Sequence, residues 1–180
     1  MSKLIAVCRG IERTNRTIGQ AAAWLALFMV LVQFALVLMR YVFGTGSLFM
    51  QEAIIYAHAI LFMMAAAWTL GEDRHVRVDI FYSTASPRRQ AAINLFGVLV
   101  FLWPMCVLLW WVGYPYVARS WSVLEGSRET SGIPAIFLLK TFILLFTVTL
   151  ALQGLVMALR SAMTMSGAGA PRGGDQQQAG

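Results

Sequence analysis

Four apolar runs, each long enough to cross a lipid bilayer, constrain this chain more than any motif does. They are Ala21–Met39, Ala53–Gly71, Ala91–Gly113 and Ala135–Leu159. The hydrocarbon core is ~30 Å thick, which takes about 20 residues of helix. The first two runs are just long enough, and the last two span with tilt or project beyond the core. Lipid satisfies no backbone polar group, so only helices or closed barrels cross it. These runs are continuous and do not alternate, which selects helices. The predicted fold class is an all-α integral membrane protein with four transmembrane helices and a short interfacial segment between the second and third. A four-helix membrane domain is expected over residues 1–165. A Gly-, Ala- and Gln-rich stretch over 166–180 reads as a disordered cytoplasmic tail.

Composition excludes other classes. Hydrophobic residues make up 59% and charged residues 12% of the 180, too few charges to coat a soluble globule. A soluble enzyme, a disordered chain and a disulfide scaffold are thereby set aside. The first run has the basic approach of a signal peptide. It exceeds a signal core in length and ends in Met39-Arg40-Tyr41-Val42-Phe43, with no small-x-small cleavage pattern. It is expected to be a retained helix. The two cysteines, Cys8 and Cys106, fall in a cytoplasmic segment and a membrane helix, so no disulfide is expected.

Orientation follows from basic residues. With the N-terminus inside, the cytoplasmic segments hold Lys3, Arg9, Arg13, Arg16, Arg74, Arg77, Arg88, Arg89, Arg160 and Arg172. The outer segments hold Arg40, Arg119 and Arg128. Such asymmetry places both termini in the cytoplasm. The net charge of +6 then reflects topology and contact with anionic membrane lipids; no nucleic-acid partner is needed to explain it. Tyr41, Phe43, Trp110, Trp111, Tyr114, Tyr116 and Trp121 gather at the outer ends, where amphipathic rings prefer the headgroups.

The polar residues sit mostly at the two boundaries. Arg40 and Glu52 bracket a short outer hairpin; they are either two snorkelling charges or a pair that fixes the hairpin or docks a partner. His58, lower on the second helix, reads as a neutral imidazole bonded to backbone or a neighbouring helix. The segment from Gly71 to Tyr82 fits an extended strip or an interfacial helix, with Asp73–Arg77 and His75–Asp79 at i,i+4 spacing. His75 and Asp79 are too few to hold a metal. Ser86-Pro87 opens the third helix, and Gly97 and Pro104 are expected to bend it. The outer connection from Tyr114 to Pro134 is either a solvated loop or a structured cap that meets another protein. Lys140 can snorkel outward or pair with Glu125, Glu129 or Glu52. Gln33 and Gln153 are candidates for interhelical hydrogen bonds.

No nucleophile elbow, zinc-ligand cluster or phosphate-binding glycine loop is present in the sequence, so no enzyme activity, catalytic residue, metal or cofactor is expected. His58 and His75 would lie ~25 Å apart along a helix, too far to share a haem iron. A membrane anchor of a redox complex and an autonomous homodimeric transporter are the rival readings. The latter would want a carboxylate near the midplane, and none occurs.

The chain resembles the small membrane subunit, the DctQ-like small permease, of tripartite ATP-independent periplasmic (TRAP) transporters. The similarity runs from about Ile18 to Arg160. It rests on Arg40-Tyr41-Val42-Phe43, Gln51-Glu52, His75-Val76-Arg77-Val78-Asp79 and Pro87. The second half is similar to a mannitol/chloroaromatic-type subgroup in Ser120-Trp121, Glu125-Gly126-Ser127, Gly132-Ile133-Pro134, Leu139-Lys140 and Gln153-Gly154. The resemblance implies a bacterial inner-membrane scaffold subunit beside a large carrier of about twelve helices. The carrier would be driven by an ion gradient, and a periplasmic binding protein would deliver an organic acid. It implies no substrate, sodium or cofactor site in this chain. Arg40, Glu52, His75, Arg77, Asp79, Trp121, Glu125, Ser127, Glu129, Pro134, Lys140 and Gln153 become candidate structural or subunit-interface residues.

Overall fold

A computed structural model describes residues 2–72 and 85–166. They form four helices: α1 (Ser2–Phe43), α2 (Leu48–Gly71), α3 (Pro87–Ser122) and α4 (Ile136–Met165). All four are long and apolar enough to cross a membrane. Each corresponds to one predicted apolar run.

The helices extend well past those runs. α1 has 42 residues, ~63 Å at 1.5 Å per residue, about twice the hydrocarbon thickness. Its continuation before Ala21 is held by packing. Cys8, Asn15, Ala22 and Leu36 are buried at spacings of seven or fourteen, the period that keeps one helix seam against its neighbours. α1 ends where Gly44 takes φ +66°, a conformation glycine adopts without a Cβ clash. Thr45 N–H then reaches back to the Met39 carbonyl at 3.1 Å. Ser47 caps α2, its hydroxyl accepting from Met50 N–H at 3.3 Å.

α3 corrects one expectation and gives form to another. Tyr114, Pro115 and Tyr116 belong to the helix, so the outer connection starts at Val123. Proline breaks helices in water, but membrane helices tolerate it where the freed carbonyl is met locally. The expected disturbance between Gly97 and Pro104 takes the form of a π-helical turn over Val98–Leu102. Trp103 N–H bonds the Val98 carbonyl, five residues back. Pro104 offers no N–H to the ordinary ladder, and the wider turn passes the defect. Ser86 occupies the N-cap of α3 but makes no side-chain capping bond; Pro87 is the first helical residue.

α2 packs against α1 and α4, and α3 packs against α4. Close approach depends on small residues, as expected between helices in lipid. A Cβ on Gly19 would fall 2.7–2.8 Å from Trp68 atoms, and one on Gly154 would fall 2.5 Å from Leu102. Gly19→Ala should therefore force α1 away from α2. A loss of about 1–3 kcal/mol, typical of overpacking, is expected as a lowered unfolding midpoint in detergent.

Candidate functional site

Polar side chains of this bundle gather in two layers, one at each end of α2. A rise of ~1.5 Å per residue puts Glu52 and Gly71 ~28 Å apart along that helix. That distance matches the hydrocarbon core.

The layer around Glu52 holds the α3–α4 connection in a folded cap. One Glu52 carboxylate oxygen accepts from the Ser127 hydroxyl at 2.5 Å, and the other accepts from Ile133 N–H at 2.6 Å. Ser127 N–H donates to the Ile133 carbonyl at 3.2 Å, closing the loop on itself. The Ser127 oxygen also accepts from Glu129 N–H at 3.2 Å. Gly132 N–H donates to the Glu129 carbonyl at 3.1 Å. No side chain fits at Gly132, since a Cβ there would overlap Ser127 and approach Glu52 Oε2 at 2.6 Å.

A second clamp joins the cap to α3 and α4. Lys140 Nζ lies 2.5 Å from Glu125 Oε2 and 3.9 Å from the centre of the Tyr116 ring. The same carboxylate oxygen accepts from Ser120 Oγ at 2.8 Å. Backbone bonds from Glu125 N–H to Ser120 and from Phe137 N–H to the Glu125 carbonyl complete the frame. Trp121 donates to Thr141 Oγ1 at 2.8 Å and stands edge-on to Phe137 at 4.8 Å. Hydrogen bonds from Lys140 and then Ser120 to the charged form hold the Glu125 carboxyl below its usual range.

The other layer lies near Gly71. Asn15 donates to Gln153 Oε1 at 2.9 Å, with both residues buried at 3% exposure. The same amide lies 3.4 Å from the Thr149 carbonyl. The Gln153 amide covers Gly71, where a Cβ would sit 2.7 Å from Nε2. One step beyond, Arg160 pairs with Glu12 at 2.6 Å.

Glu52, Ser127, Glu125 and Lys140 are thus brought together as the frame of one cap, and Trp121 seals its side. Glu129 and Pro134 lie on its exposed surface. Gln153 makes the interhelical bond expected of it. Of the two readings of Arg40 and Glu52, the pair does not form: Glu52 is taken by the cap, and Arg40 is exposed with no carboxylate partner among the described residues. His58 is exposed and makes no hydrogen bond among the described residues. The expected bond to backbone or a neighbouring helix is not made. His75, Arg77 and Asp79 lie outside the described residues. Sequence reasoning missed Asn15, because the apolar runs drew attention away from the first 20 residues. The seven-residue series through Cys8, Asn15, Ala22 and Leu36 was the available signal.

A groove of about 500 Å³ opens below the cap, between α2, α4 and Tyr116. Ile55, Ala59, Met63, Leu139 and Ile143 form apolar walls, and the charges at its rim, Glu52 and Lys140, already have partners. Among the described residues, no three His, Cys, Asp or Glu side chains converge to hold a metal ion.

Four apolar spans and two hydrogen-bonded boundary layers define a multi-pass membrane protein. Residues 29–165 match the family described as Tripartite ATP-independent periplasmic transporters, DctQ component, and the chain belongs to that family. It is a small permease subunit of a TRAP transporter, a component that works with a large permease and a binding protein. The family is one of transporter components, not of enzymes. Comparison with curated proteins and with solved structures gave no match.

Two outcomes follow for the cap. Glu52→Gln keeps the shape but loses the charge-assisted acceptor, so hydrogen exchange at the Ile133 amide should quicken about tenfold. The Glu125 carboxyl titrates lower folded than unfolded, where its ordinary value is 4.5. Its stabilising contribution is complete above that value and declines as pH falls through the lower folded value. The protection factor of the Phe137 amide, its exchange relative to the intrinsic rate at each pH, should therefore be constant at neutral pH and fall only below pH ~4.5.

Proposed function

We propose that this chain is the static partner of the large carrier subunit in ion-gradient-driven uptake of an organic acid delivered by a periplasmic binding protein. It lies in the bacterial inner membrane with both termini in the cytoplasm, the arrangement favoured by ten basic residues against three across the two sides. One observation carries the reading: the buried and half-buried polar groups satisfy one another. Glu52, Glu125 and Lys140 are engaged in the cap, and Asn15 and Gln153 are engaged at the opposite end. No interior polar site is left among the described residues to hold a solute. A carrier that moves one domain against another needs the second held still. Four added spans, one about twice the length of the bilayer core, enlarge its lipid contact and resist tilting.

The cap is the surface offered to the binding protein. Its hydrogen-bonded frame fixes the backbone, while Arg128, Glu129, Thr130 and Ser131 are exposed upon it. The residues that suggest the mannitol/chloroaromatic-type subgroup, Glu125, Ser127, Gly132 and Lys140, are the ones that build this frame.

Uptake should be measured in proteoliposomes holding the large permease and binding protein, with and without this chain. Uptake is expected to fall to background without it, and undiminished uptake would reject the scaffold role. Glu129→Lys, which alters the cap surface but not its frame, should weaken binding-protein association severalfold; unchanged association would remove the docking role.

A further inference from the structure

Hydrocarbon cannot hydrogen-bond a side chain, so an unpaired polar group facing outward at that depth needs a protein partner. Two such groups occur on one flank of this bundle. Gln33 on α1 is exposed, seven residues and so ~10 Å below Arg40, which itself lies outside the level of Glu52. His58 on α2 is exposed, six residues from Glu52 and so ~9 Å inside. Among the described residues neither makes a hydrogen bond. The His58 imidazole is too short to snorkel that far.

The two lie on successive turns of the α1–α2 flank, His58 ~6 Å the deeper. Gly19 lies against Trp68 where α1 and α2 run antiparallel. Counting toward the cap from that contact sets Gln33 level with Ile54, and His58 level with Met29. A groove of about 470 Å³ on this flank is lined by Met29, Val30, Gln33, Phe34, Val37 and Ile54. His58 follows Ile54 by one helical turn. Arg40, seven residues from Gln33 on the same stripe of α1, is also exposed and unpaired among the described residues. The outward face of α3 differs: Val100, Phe101, Val107, Leu108 and Trp111 are exposed and offer no group that lipid would leave wanting beyond the indole N–H.

We propose that the α1–α2 flank marked by Gln33 and His58 seats the large permease subunit, through a membrane helix bearing amide or hydroxyl groups at that depth and a carboxylate near Arg40. This rests on the scaffold reading above. A lipid tail would fill the groove but leave the imidazole unsatisfied. A second copy of the chain, related by an axis normal to the membrane, would bring equal depths together and set Arg40 against Arg40. A different chain with complementary groups avoids both costs.

The test uses the full chain co-expressed with the large permease, with benzoylphenylalanine introduced singly at positions 33, 58, 107 and 111. Irradiation in membranes should give an adduct of small plus large subunit from 33 and 58 but not from 107 and 111. Adducts only from 107 and 111, equal yields from all four, a dimer of this chain from 33 or 58, or no protein adduct from any position would each overturn the assignment. The scaffold reading is tested apart, by whether the unmodified chain co-purifies with the large permease. If it does not, both fall. If it does and the adducts are misplaced, only the assignment of the flank falls. Gln33→Leu and His58→Leu should each lower co-purification about threefold, the scale of one hydrogen bond between membrane helices, with helix content unchanged. Unchanged recovery from the double variant would also overturn it.

Discussion

Hydrocarbon offers no hydrogen bonds, and the placement of every polar group in this bundle answers to that fact. Backbone groups are consumed within helices. Polar side chains inside the bundle bond to one another at the two ends of α2. The threonines along α4 turn their hydroxyls back onto carbonyls one turn earlier, as Thr147 does to Ile143 at 2.8 Å. Close contact holds the rest, with glycine where helices touch, as at Gly19 against Trp68 and Gly154 against Leu102.

The cap shows how one carboxylate organises a segment far from it in sequence. Glu52 precedes Ser127 by 75 residues and Ile133 by 81. Both of its oxygens are used, and together with the Glu125–Lys140 clamp they hold a loop in which Leu124 sits at φ +45°, an uncommon conformation for a residue other than glycine. With Glu52 fixed in the first turns of α2, the cap is referenced to α2 as firmly as to the helices it joins. A surface displayed on it keeps one orientation relative to the membrane.

Much of this was legible in the sequence. Long apolar runs announced four helices, because lipid demands both length and hydrophobicity. Glu125 was among the carboxylates offered to Lys140 as an alternative to snorkelling, and it is the one taken. The ends of the helices were not legible in the same way. A rule based on lipid exposure sees only the part of a helix that lipid touches. It missed the first half of α1, where Arg9, Arg13 and Arg16 are exposed while Cys8 and Asn15 pack inward. The third apolar run stops at Gly113, yet α3 continues through Pro115 to Ser122. Arg40 was one partner the sequence offered Glu52, because the two bracket a short hairpin. The actual partners were distant and partly backbone, and no local pattern encodes them.

The π turn in α3 settles which way that helix faces. Ala91 and Val98 are buried below it, and Cys106 and Val117 above it. An unbroken α-helix advances about 100° per residue, so the eight steps from Val98 to Cys106 would leave the upper pair rotated some 80° from the lower. One additional residue in the wide turn cancels almost all of that rotation. Both halves of α3 can then lay the same edge along α4. Shortening the turn by one residue would restore regular winding and swing either the lower or the upper half out of register.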